Sequence, residues 1–194
     1  MMALITPGHA KSSKVIVCLL FLGLYIAVRA EEIPGPPPYK PDPRKPPLVN
    51  LVEWKVSWLE AKIKARKTAI SSKTRALEAD PNMDRATKEK EIAELQKANE
   101  QDQDEIGALT AKTAFDPTNP GVNERVKILK ENVQAGIDHF QKLAAREIEE
   151  SRDKKKTKAE REKAGKQSKE HASTETALDR DLAKAAKDNP EIFK

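Results

Sequence analysis

The sequence predicts an all-α protein: an elongated helical hairpin, as a three-helix bundle or an antiparallel coiled coil, with a disordered proline-rich N-terminal arm and a charged C-terminal tail. Charged residues make up 35% of the 194 positions, well above the roughly 25% of ordinary globular domains. Aromatic residues make up only 4%, which suits a narrow buried seam better than a broad core. Apolar residues recur at spacings of three and four through three long stretches, the signature of helices with one packed stripe.

Residues 1–30 read as a secretory signal. Lys11 and Lys14 precede an uncharged apolar run at 15–28, and small residues at Val28 and Ala30 place the cleavage after Ala30. The run is too short to span a bilayer, which takes about 20 apolar residues. Cleavage would remove Lys11, Lys14 and Arg29 and lower the net charge from +5 to +2. It would also remove Cys18, the only cysteine, so the secreted, extracellular chain would fold without disulfides.

Residues 31–47 form the arm. The run "IPGPPPYKPDPRKPP" holds eight of the thirteen prolines, and proline both fixes φ and removes the N–H donor. The expectation is an extended, solvated, polyproline-like strap. Its flank Arg44-Lys45-Pro46-Pro47 resembles ligands of cytosolic proline-reading domains, from which secretion would separate it.

A three-helix, coiled-coil-like domain is expected over 48–150. The first seam runs through Val52, Val56, Leu59, Ile63, Ile70 and Leu77, with Arg66 and Lys73 in register. Trp54 and Trp58 share one helical face, as core anchors or as an exposed partner or lipid surface. After "ADPNMD", where Asp80 and Pro81 suit a cap and first position, a second helix runs to about Phe115. Its seam is Ile92, Leu95, Asn99, Asp102, Ile106, Leu109 and Thr113. "FDPTNPG" breaks the pattern again, with Asn119 as the expected cap. The third stripe is Val122, Val126, Leu129, Val133, Ile137, Phe140, Ala144 and Ile148. Gly136 inside it costs about 1 kcal/mol relative to alanine.

Charge suggests which helices pair. The first helix carries six bases and no acid between Lys62 and Arg75, whereas the second has eight acids against four bases between Asp84 and Glu105. Folded back on one another, the two oppose unlike charges. Asn99 and Asp102 then come near Arg66, as a buried register-setting layer or at a wet edge.

Residues 151–194 contain little that is large and apolar, so they read as a largely disordered or single-helix tail that frays near Gly165. Lys154, Lys155, Lys156, Lys158, Arg161 and Lys163 form a basic stretch suited to polyanion contact. No aromatic lies among them to stack on a base, which argues against sequence-specific nucleic-acid recognition.

No catalytic, metal or cofactor signature is present. Beyond residue 30 there are two histidines, His139 and His171, and no cysteine. The expected function is therefore non-enzymatic. The chain would bind a protein partner, or itself, through its helix faces, or serve as a structural component of a secretion. The alternative is an amphipathic-helix protein that binds lipid or an anionic surface such as a glycan or membrane. A precursor of short peptides is a weaker fit, because Arg66-Lys67 lies inside a helix.

Overall fold

The computed structural model describes residues 33–80 and 84–194. The signal reading, its cleavage position Ala30 and the "PNM" of the first break lie outside those residues. Four α-helices account for most of what is described: α1 (Pro47–Ala79), α2 (Arg85–Thr110), α3 (Val122–Arg152) and α4 (Lys158–Asp188). There is no strand among the described residues. None of the helices is long and apolar enough to cross a membrane.

The helix ends follow from local chemistry. Pro46 and Pro47 open α1, where a missing N–H costs nothing. Asp84, rather than Asp80, caps α2 by accepting from the Thr87 amide. Helix α2 ends at Thr110, short of Phe115. Asn119 does not cap α3. Its side chain closes the preceding turn by accepting from Gly121 N, and α3 begins at Val122. Thr157 and Glu160 form a reciprocal capping box at the start of α4.

The longest interface joins α3 to α4; α1 lies against α2 and also touches α4 and α3, while α2 meets little besides α1. One core runs through Leu51 and Trp54 of α1, the α3 stripe from Val122 to Phe140, and Leu178 and Ala185 of α4. Tyr39 enters it from the arm, and Ile192 and Phe193 from beyond α4. The Phe193 carbonyl accepts from Lys130 Nζ at 3.3 Å.

Three expectations need correcting. The tail is neither disordered nor a lone helix, because α4 packs along α3 through Ala164, Ser168, Thr174, Leu178, Asp181 and Ala185. Apart from Leu178, which the sequence pairs with Leu182 on one face of a short helical segment, that stripe is small and polar in content, so a search for large apolar residues catches only its end. Gly165 lies within α4 and does not end it. The described part of the arm is seated on the fold, with Pro36 and Tyr39 buried. Finally, Ile148 is 40% exposed and Glu147 takes the inward position at the end of the α3 stripe.

Candidate functional site

Two constellations bring distant residues together. The first is a clasp around the proline arm. Prolines 34, 36, 37 and 38 have no N–H, so this segment cannot hydrogen-bond as a strand does and its carbonyls need donors from elsewhere. Both tryptophans of α1 supply them. Trp54 Nε1 donates to the Pro37 carbonyl at 2.8 Å, and Trp58 Nε1 donates to the Pro34 carbonyl at 3.2 Å. One helical turn up α1 therefore matches three residues back along the arm, and the arm runs antiparallel to the helix.

Helices α3 and α4 close the clasp. The Tyr39 hydroxyl donates to Asp181 Oδ2 at 2.7 Å, and its ring meets Trp54 edge-on at 6.2 Å between centroids. Burial, followed by the Asp181 bond, pushes the Tyr39 phenol far above its ordinary range and keeps it a donor. Glycine allows close approach at two positions. A Cβ at Gly136 would lie 2.5 Å from the Trp54 ring, and one at Gly35 would lie 2.9 Å from the His139 ring. Burial, then the positive charges of His171, Lys142 and Arg146, lower the His139 pKa. The indole of Trp58 has Lys55 Nζ and Lys62 Nζ over its ring at 5.1 and 5.4 Å.

The second constellation is the seam between α1 and α2. Arg66 donates to Asp102 at 2.6 Å and to the Ala98 carbonyl at 3.2 Å, with Arg66 and Asp102 both buried. Lys73 pairs with Glu91 at 2.8 Å, and buried Lys55 reaches Glu105 at 3.2 Å and Asn132 of α3 at 2.8 Å. The opposition of charge read from the sequence is thus made by named pairs, and Asp102 takes the buried place of the two considered for it. The pair also carries two open grooves. One of about 420 Å³ includes Ile33, Ala69 and Leu95 in its lining; the other, of about 510 Å³, includes Ile63, Lys67 and Ile106.

The seam residues divide accordingly. Leu59, Ile63, Leu109, Val126, Leu129, Val133, Ile137 and Phe140 are buried. Val52, Val56, Ile70, Leu77, Ile92, Leu95 and Ile106 are half-buried. In the basic stretch, Lys154, Lys155, Lys158 and Lys163 are exposed around the turn between α3 and α4, Arg161 is half-buried, and Lys156 pairs with Glu150 at 2.7 Å.

His171 Nδ1 and Glu147 Oε2 lie 2.8 Å apart beside Phe140, a pair that residue spacing within one helix could not reveal. The hydroxyl of nearby Ser168 is given to the Ala144 carbonyl. No cluster of metal-ligating side chains occurs among the described residues. No protein-family model, curated protein or solved structure matches the chain.

Proposed function

We propose that this is a secreted, non-enzymatic protein that works by protein–protein contact through its helix faces, with two antiparallel helical hairpins in an elongated bundle. The observation that carries this reading is the far half of the α1–α2 pair. Past Arg66, Ile70, Leu77, Ile92 and Leu95 are only half-buried, and a groove opens beside Ala69 and Leu95. An apolar seam that its own two helices do not cover is suited to a further helix, from a protein partner or from a second copy.

A second reading, attachment to an anionic surface, is favoured by the exposed Lys154, Lys155, Lys158 and Lys163 at the α3–α4 turn. Sedimentation of the protein alone, with anionic vesicles and with heparin separates the two. Seam association gives an oligomer indifferent to both additives and reduced by Ile70→Asp with Leu95→Asp. Co-sedimentation with vesicles or heparin, lost when the four lysines become glutamine, favours the surface reading instead.

A further inference from the structure

We propose that the groove beside Ala69 and Leu95 is a docking site for the arm's own first two residues, Glu31 and Glu32. Both lie outside the described residues, and the course of the arm is what directs them there. Its carbonyls meet the two indoles in reverse order, Pro37 at Trp54 and Pro34 at Trp58, so the chain upstream of Pro34 heads along α1 toward that helix's C-terminal end. Ile33, the first described residue, lines the groove together with Ala65, Arg66 and Ala69. Two further extended residues add about 6 Å, which is about the rise of four helical residues. Four residues past Ala69 on α1 stands Lys73.

The chemistry at that point matches the segment. Lys73 and Lys88 both belong to the lining, and their ammonium groups reach the same Glu91 oxygen, at 2.8 and 2.9 Å. Two cations on one carboxylate leave this trio net positive. The other acid of the lining, Glu94, is exposed, where solvent and salt screen it. Nearer Ile33 the lining is small or apolar, with Ala65, Ala69, Leu95 and Ala98. A segment that reads Glu-Glu-Ile thus offers carboxylates where the groove is cationic and an aliphatic side chain where it is apolar.

Two docked residues reach only as far as Lys73. Ile70, Leu77 and Ile92 lie outside the lining, so the seam left for a partner helix is the part that those residues form. In one respect the inference rests on the secretory reading: cleavage after Ala30 makes Glu31 the first residue and gives the segment a free end to lay down.

The test uses the protein recovered from medium or cells after expression of the full chain. Where it is found and its intact mass report on secretion and cleavage, separately from docking. Carboxyl titration followed by NMR is expected to place Glu31 or Glu32 about one unit below the ordinary glutamate value of about 4.3, a roughly tenfold lower proton affinity. Nuclear Overhauser contacts should join residues 31–32 to the methyl groups of Leu95 and Ala98. Lys73→Gln with Lys88→Gln should return both carboxyls to the values of a free peptide spanning residues 31–41. The contacts are read in the unsubstituted chain, so the question stays answerable if that variant fails to fold. Carboxyls that titrate as in the peptide with no contacts from 31–32 to α2, a shift that survives loss of both lysines, or a mature chain that begins beyond Glu32 overturns the proposal.

Discussion

At the scale of single residues, two positions carry more than their size suggests. Gly136 looks like a flaw in a helix, yet its missing side chain makes room for the Trp54 ring. Gly136→Ala gains about 1 kcal/mol of helix propensity and forces the indole out of place, an overpacking that costs about 1–3 kcal/mol. The expected result is a net loss of stability in urea unfolding together with a shift in tryptophan emission. Arg66 and Asp102 form a buried ion pair in the α1–α2 seam. Asp102→Ala leaves a buried guanidinium without its partner and should cost about 3 kcal/mol or more. Replacing both, as Arg66→Met with Asp102→Leu, should come much closer to wild-type stability. If the double variant were as unstable as the single one, the layer would be doing more than pairing two charges.

At the scale of elements, the arm and α4 matter most. His139 lies under Gly35 with no carboxylate among the groups that shift it; His171, Lys142 and Arg146 all add positive charge. Burial is the largest cause of the lowering, and the part of it that Gly35 supplies is lost when the arm leaves, so the released state binds the proton more readily. Seating is therefore unaffected where His139 is neutral in both states and weakens as pH falls through its titration. Tryptophan emission should shift toward the solvent-exposed value as pH falls through that window, and His139→Gln should remove the shift. For α4, Thr157→Ala breaks the capping box and should cost about 1 kcal/mol, measured by thermal unfolding. The sequence "TKAE" carries that capping signal openly, and it marks the start of a helix in a stretch with few large apolar residues. The three long stripes were legible because large apolar residues mark them. The α4 stripe was legible only around Leu178 and Leu182, since alanine, serine and threonine mark a face only when a neighbour fits closely against them. The arm was not legible either, because its stability lies in pairings such as Trp58 with Pro34 and Tyr39 with Asp181 that no local pattern encodes.

At the scale of the whole molecule, both ends of the described chain are fixed to the same core. Tyr39 enters it beside α1, and Ile192 and Phe193 enter beside α3. The proline arm is thus part of the fold and closes over the two tryptophans, and the outer half of the α1–α2 pair is left with its seam half-open. This division explains why a chain so rich in charge still builds a core: aromatic side chains are few, and four of them, Tyr39, Trp54, Phe140 and Phe193, are spent there. The most direct test is nuclear Overhauser contacts from the two indole N–H protons. The structure predicts contacts from Trp54 Hε1 to Pro37 and Pro38 and from Trp58 Hε1 to Pro34 and Gly35, with both indole protons slowed in exchange with water. Indole protons that exchange freely and show no contact to residues 33–38 would contradict a seated arm.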